Sequence, residues 1–387
     1  MGKIKKEHFI NREVSWLHFN ERVLQEAMDE RNPIIERLKF LGIFSNNRDE
    51  FFRVRVATIK RMVLLDSSKR SKFGDDPDML LKEIQEIVAD QEKKFTDTFK
   101  KIKKELEKEN IIFRDENSLS DEQGRFVLKF FHDEVRPFLF PIMLSNLESP
   151  DFLRDNTIYL ALELKDSSGD KEDDYAIVIV PTDDVSRFVL LPGKEKKYLM
   201  FLDDVIRFAI GEIFNPFGYD LIKGYTIKFT RDAELDFDND VSKSFIELMS
   251  ESIKRRKKGL PVRFVYDEDI PDSLLKKLTK KLQISEVDNI RGGSKYHNFR
   301  DFMSFPKIGS KHLINPKTVP LNHVLLPRNK SILEAIKKQD ILLHYPYQSF
   351  QYIVDLLREA AIDPKVKAIK MTFYRAARNS NVMDALI

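Results

Sequence analysis

A helical bundle, then an α+β domain, then the opening of an α/β domain is the architecture predicted for this chain of 387 residues. Three observations carry that reading. Across residues 1–110 apolar side chains recur at helical spacing. Across 111–313 short alternating runs take turns with helical ones. Across 314–387 a strand, a helix and a second strand follow one another, the pattern of a parallel crossover.

Composition sets the outer limits. Hydrophobic content of 42% with charged content of 33% describes a soluble globular protein. Lys and Arg number 66 against 63 Asp and Glu, and a balance of +3 is too small to imply nucleic acid. Without cysteine there is no disulfide, thiol nucleophile or thiolate metal site. The segment MGKIKKEHFINREVSW lacks a signal-peptide core, and no apolar run reaches membrane-spanning length. The expected setting is cytoplasmic, with peripheral membrane association left open.

In the bundle, SWLHFNERVLQEA places Trp16, Phe19, Val23, Leu24 and Ala27 on one face. Pro33 opens a second helix carrying Ile34, Ile35, Leu38 and Leu41. The run from Gly42 to Asn47 is expected to interrupt it, with Asn47 capping a further helix and Glu50 as capping-box partner. Asn47 has a functional alternative, a carboxamide offered to a ligand at a helix start. That further helix would hold Asp49 and Glu50 in its first turn and bury Phe51, Phe52, Val56, Ile59 and Val63. Asp76-Pro77 begins the longest helix, whose seam is Ile84, Val88, Gln91, Phe95, Phe99, Ile102 and Leu106.

The second domain opens at Ile111. Ser120 to Gln123 is a capping-box start for a helix ending near Pro137. Thr157–Lys165 alternates, Asp166–Asp174 is a solvated turn and Tyr175–Val180 returns as the partner of a hairpin. Strands at 198–202, 224–230 and 262–266 then alternate with helices near 203–214, 241–258 and 271–282. The cluster Lys254–Lys258 suits a helix C-terminus, with polyanion binding as the alternative. Arg291–Phe299 (RGGSKYHNF) places two glycines and two cations before a helix, matching no phosphate-loop fingerprint. There Asn298 reads as a cap and His297 as a hydrogen-bonded structural histidine rather than a nucleophile.

Asn315–Pro327, with three prolines, reads as a linker. A strand at 340–345 and a helix at 349–361 follow, the helix expected to bury Phe350, Ile353, Val354 and Leu357. The closing stretch from Lys365 to Asn381 carries five cations and no acid. It reads as a strand over 365–373, with Arg375 at its carboxyl end before a helix opened by Asn379 or Ser380. Ligands of open α/β sheets collect at that position, and a guanidinium fork matches phosphate oxygens. The bland alternative is an arginine that caps the sheet edge or pairs with a carboxylate. The last helix breaks off at Ile387 without a stop signal, so the chain is expected to be a fragment.

With these residues laid out, the chain resembles the polyphosphate kinases of the histidine-phosphorylating bacterial type. The matching stretches are SWLHFNERVLQEA, NPIIERLKFLGIFSNNRDEFFRVRVA, TRDAELD, PVRFVY, GGSKYHNFRDF, LLHYPYQSF and IKMTFYRAARNS. The resemblance implies a helical N-terminal domain, a head domain of phox-homology-like fold, and the first βαβ of a phospholipase-D-like catalytic domain. It implies reversible transfer of the terminal phosphate of ATP to polyphosphate, through a phosphohistidine and with magnesium, by a homo-oligomer. Asn47 aligns with the family's nucleotide-contacting asparagine. Arg375 aligns with the arginine of the magnesium and phosphate site, where a guanidinium can bind only the phosphate oxygens that also hold the metal. None of the seven histidines matches the family's catalytic pair, which is expected after Ile387. Many relatives carry a histidine where Tyr345 stands, a position not known as catalytic. Two other classes stay in view: a non-catalytic polyanion-binding or oligomerisation module, and a phospholipase-D-type phosphodiesterase. The expectation of missing histidines is tested directly: residues 1–387, purified and given labelled ATP, form no phosphohistidine.

Overall fold

The computed structural model describes residues 9–63, 76–147, 153–154, 157–231, 261–284, 289–327, 329–372 and 380–387. They fall into two compact units, Met1–Asn315 and Pro316–Ile387. The division lies at the start of the proline-bearing segment.

The larger unit begins with α1 (Arg12–Met28), α2 (Ile34–Phe51), α3 (Ala57–Val63) and α4 (Pro77–Lys108). Asn11 caps α1, its side chain accepting from the Glu13 and Val14 amides. The buried face of α1 is Val14, Leu17, Asn20, Leu24 and Ala27, while Phe19 is exposed. The expected stripe was thus rotated by part of a turn, because the polar Asn20 is drawn inward to donate to the Phe44 carbonyl at 3.2 Å.

The largest correction concerns α2. It runs unbroken through Gly42 and Asn47, so Asn47 is no N-cap and Asp49 and Glu50 open no new helix. Gly42 is small for a different reason. A short 3₁₀ segment, Phe299–Ser304, lies against it, and a Cβ there would meet the Met303 amide nitrogen at 2.9 Å. A π turn over Phe52–Val56 then carries the chain into α3, burying Phe52 and Val56. The helix α4 has the expected seam, with Ile84, Val88, Gln91, Phe95, Ile102 and Leu106 all buried.

Next come β1 (Ile111–Arg114), α5 (Asp121–Phe130), β2 (Ile142–Met143), β3 (Ile158–Lys165), β4 (Asp174–Ile179), β5 (Phe188–Leu191) and β6 (Lys197–Phe201). The capping box of α5 is present, with Ser120 and Gln123 bonding reciprocally. The remainder is α6 (Leu202–Ala209), α7 (Gly211–Phe214), β7 (Leu221–Arg231), β8 (Pro261–Asp267), α8 (Asp272–Lys281) and β9 (Asn289–Gly293). One sheet has the order β1-β6-β5 and the other β2-β4-β3-β7-β8-β9. The β3–β4 hairpin is antiparallel as expected, whereas β8 and β9 run parallel. The expected helix at 241–258, with its Lys254–Lys258 cluster, lies outside the described residues.

The faces of the larger sheet differ in chemistry. One face gathers Tyr159, Ala161, Ile227, Phe229 and Phe264 over α8. The other begins apolar, with Ile158, Leu160, Leu162 and Leu164 against α5 and α6. It turns polar where β7 and β8 pair, since Lys228 stands opposite Val265 and Thr230 opposite Arg263. A third core joins both halves of the unit: Leu38, Leu41, Phe44 and Phe95 from the helices meet Phe188, Phe201, Phe299 and Phe302.

In the second unit α9 (Ile332–Ile336), α10 (Gln351–Ile362) and α11 (Asn381–Leu386) are helical. Glu359 accepts from the Ile332 and Leu333 amides and so fastens the start of α9 to α10. On α10, Val354 and Leu357 are buried and Ile353 is partly so, but Phe350 is exposed and Tyr352 takes an inner place. The strands expected at 340–345 and 365–372 are not formed. Among the described residues no neighbouring strand offers these segments a ladder, and a strand exists only through its partners. The closing helix starts at Ser380 as expected. Among the described residues no helix is long and apolar enough to cross a membrane.

Because the Met303 backbone occupies the space a methyl group would need, the substitution Gly42→Ala sets helix propensity against close packing. Packing decides the sign: the variant loses about 1–3 kcal/mol of stability, read from urea midpoints at unchanged slope.

Candidate anion-binding site

A cleft of about 970 Å³ opens where the polar face of β7, β8 and β9 meets α2 and α4. Its deepest residues are charged. Lys228 reaches Asp49 at 2.5 Å and the Asn298 side-chain oxygen at 3.1 Å. Glu92 of α4 lies between two guanidinium groups, 3.5 Å from Arg263 and 3.9 Å from Arg48. At those separations the pairs are coulombic, not hydrogen-bonded. Arg48 and Arg263 are only 7% and 3% exposed. Their flat faces are well seated, Arg263 over Phe52 at 4.6 Å and Arg48 over Phe44 at 5.5 Å.

The edges of these guanidinium groups are less well served. Arg48 Nε and Nη1, Arg263 Nε and Nη2, and Asn298 Nδ2 are buried with no hydrogen-bond partner among the described residues. Such donors are rare in folded proteins because each forfeits its hydration. The field is correspondingly positive. Burial and then Arg48 beside it push Arg263 down to about 10. Burial raises the carboxyl groups of Asp49 and Glu92, but the surrounding cations outweigh it and hold both below their usual range.

Asn298 sits at a left-handed position, φ 59, at the start of the 3₁₀ segment. It makes no side-chain cap, as its oxygen is committed to Lys228. Its carbonyl accepts from Arg187 at 3.0 Å, and Arg187 also holds Asp203 with two nitrogens, each at 3.0 Å. His297 is buried, as a structural histidine would be. Its Nε2 finds no partner among the described residues. Burial, then Lys228 and Arg263, push the imidazole down to about 3, so it is neutral. The two glycines of the RGGSKYHNF stretch finish β9 rather than forming a loop. Arg291, from the same strand, donates to the Gln85 carbonyl on α4 at 3.0 Å.

The residues singled out from sequence therefore separate. His297, Asn298 and Arg291 line the cleft. Asn47 lies one residue before Arg48 on α2 but is not among the lining residues; its side-chain amide donates to Asn20 Oδ1 at 3.0 Å. Arg375 lies outside the described residues. Sequence reasoning missed Arg48, Glu92, Lys228 and Arg263 as a cluster. Its signal is a cation at alternate positions of two apolar strands, YTIKFT and VRFVY, that a neighbouring layer covers.

The cleft supplies donors and positive charge, and its histidine is buried at 7% exposure rather than presented to a substrate. Among the described residues no group of three or more His, Asp or Glu side chains could hold a metal ion. Asp49 and Glu92 are already engaged by cations, so these residues do not make a magnesium cage.

Three family models match the chain in order: the polyphosphate kinase N-terminal domain over residues 9–114, the middle domain over 122–305, and C-terminal domain 1 over 331–387. The chain belongs to the polyphosphate kinase family. A polyphosphate kinase of Vibrio vulnificus is 42% identical over 385 residues, covering 98% of this chain and 54% of the relative. The polyphosphate kinase of Escherichia coli strain K12 is 39% identical over 386 residues, covering 98% and 55%. A crystal structure of polyphosphate kinase from Porphyromonas gingivalis matches with a TM-score of 0.76 at 33% identity, covering 97% of this chain and 53% of that one. The chain thus spans about half the length of the curated relatives it matches. In the terms of this polyphosphate kinase family, the cleft is shared between its N-terminal and middle domains: Arg48 and Glu92 come from the first, Lys228 and Arg263 from the second.

The neutral His297 makes acid stability a test of the cleft's field. With a folded pKa of about 3 against an ordinary 6.5, the unfolded chain binds the extra proton between those values. The contribution to stability is complete above the ordinary value and drains away as pH falls toward the folded one. At pH 5 the loss is about 2 kcal/mol. Urea melts at pH 7 and pH 5 should show a smaller acid loss for His297→Gln than for the unaltered chain. Equal losses would contradict the neutral histidine.

Proposed function

We propose that the chain is the N-terminal part of an enzyme that transfers the terminal phosphate of ATP, reversibly, to a growing polyphosphate chain. What supports this is the ordered match of the three polyphosphate kinase family models across nearly all of residues 9–387. On this reading residues 1–110 form the helical domain, 111–313 a phox-homology-like head, and 314–387 the beginning of a phospholipase-D-like catalytic domain. The phosphohistidine would be supplied by sequence following Ile387. The protein would act in the cytoplasm as a homo-oligomer, with ATP and polyphosphate as its partners.

Asn47 is proposed as the ATP contact within this chain. Asn20 anchors it: the Asn20 amide donates to the Phe44 carbonyl at 3.2 Å, and its oxygen accepts from Asn47 at 3.0 Å. This relay fixes the Asn47 carboxamide and leaves its own oxygen to accept from an amino group such as that of a nucleobase. Arg375 is proposed to bind phosphate oxygens at the magnesium site. Phosphoryl transfer depends on positioning and charge neutralisation, and a guanidinium provides both for the transferred group. Magnesium is expected to arrive on the phosphates of ATP, its usual mode of binding in such enzymes.

Two measurements test the proposal on the complete gene product. Asn47→Ala should raise KM for ATP roughly tenfold with a far smaller change in kcat, the signature of one lost hydrogen bond to a substrate. Arg375→Ala should instead lower kcat by about a hundredfold or more, as expected when a charge-stabilising donor is removed. Unchanged polyphosphate synthesis in both variants would defeat the site assignments, and no synthesis by the unaltered protein would defeat the function.

A further inference from the structure

We propose that the cleft between α2, α4 and the β7–β9 edge binds a condensed phosphate chain, which seats on Arg48, Arg263 and Asn298 in place of the Glu92 carboxylate. The ligand class leans on the phosphotransfer reading; the existence of an anion site does not.

The argument starts from unmet demand. Five buried N–H-bearing atoms, on Arg48, Arg263 and Asn298, have no acceptor among the described residues, and they come from α2, β8 and the 3₁₀ segment. Donors from three separate elements that line one cleft and stay unpaired among the described residues call for an acceptor, and a bound anion supplies one. Charge points the same way. The lining carries seven cationic side chains against four carboxylates, and setting aside the Asp49–Lys228 pair leaves six against three.

Glu92 marks where that acceptor sits. It is 28% exposed at the side chain, close to both guanidinium groups, yet within hydrogen-bond distance of neither of the paired nitrogens. A carboxylate has two oxygens to divide between two forks, whereas a phosphate chain presents oxygens along its length. It can therefore engage the Nε–Nη2 edge of Arg263 bidentately and reach the Arg48 Nε and Nη1 donors through separate oxygens. The volume, about 970 Å³, far exceeds what one orthophosphate fills and suits several linked units.

The same cleft is poorly suited to a base. Its aromatic rings already pack at a tilt against other rings: Phe95 on Phe299 at 4.9 Å and Tyr296 on Phe201 at 4.4 Å. These rings are engaged within the core, whereas the charged side chains offer donors, so the lining favours the phosphate chain over a base. The exposed Lys93 and Lys100 at the rim extend the positive surface outward along α4.

Calorimetric titration of the 387-residue chain tests this with tripolyphosphate, ATP, orthophosphate and sulfate. Tripolyphosphate should bind saturably, at least ten times more tightly than orthophosphate or sulfate and no more weakly than ATP. Glu92→Gln removes the competing charge and should tighten tripolyphosphate binding about tenfold. Lys93→Ala with Lys100→Ala, both on the surface, should weaken it several-fold and flatten its salt dependence. Absence of saturable binding, or ATP binding ten times more tightly than tripolyphosphate, overturns the proposal. So does unchanged affinity in a folded Glu92→Gln chain. Should that variant not fold, the double lysine variant decides alone, and unchanged affinity there overturns the site. Polyphosphate synthesis by the complete gene product is read separately. Synthesis without binding here defeats only the site; binding without synthesis defeats only the kinase reading.

Discussion

The larger unit depends on a layer of charge kept out of water. Asp49 on α2 and Lys228 on β7 meet at 2.5 Å with both side chains nearly inaccessible. Removing two ions from solvent costs several kcal/mol each, and only close pairing and further hydrogen bonds recover it. Lys228 has that support from the Asn298 oxygen. The pair fixes how the helices lie on the sheet, because a shift of either partner would strand a charge in a low dielectric. A purely apolar joint at this place could slide; this one has a register.

Around that joint the fold follows local rules where segments are long and tertiary demands where they are short. The seam of α4 was legible because seven inward positions recur at spacings of three or four from Ile84 to Leu106. The capping box at Ser120 and the hairpin of β3 and β4 were legible for the same reason: each states its geometry within a few residues. Gly42 misled because a glycine inside a helix signals a break by propensity, whereas here it signals the approach of another backbone. The segments 340–345 and 365–372 misled in the opposite way. Apolar alternation describes what a strand needs on its faces and says nothing about whether a neighbour is there to complete its edges.

The cleft was legible only in fragments. His297 and Asn298 stood out within RGGSKYHNF, but Asn298 spends its side-chain oxygen on Lys228 rather than on a cap, and His297 leaves its Nε2 unpaired among the described residues. Lys228 and Arg263 occupy alternate strand positions that ordinarily face solvent. No periodicity reveals that a helix will later cover that face. Arg48 and Glu92 lie forty-four residues apart on different helices, and their meeting is a property of packing. Long-range convergence of this kind is where a single sequence is least informative, and it is also where buried charge collects.

The aromatic joint between the two halves of the larger unit carries a consequence for how the molecule comes apart. Phe95 and Phe99 of α4 stack against Phe299, and Phe302 continues the contact to Phe188 and Phe201. Rings from the two ends of a stretch of about two hundred residues thus share one interior. Either portion would expose this shared core once the other leaves, so parting the helices from the sheets carries a large cost in apolar surface. Cutting the backbone between α4 and α5 would leave two polypeptides that still travel together, and shuffling either portion onto a foreign scaffold would expose its richest oily surface.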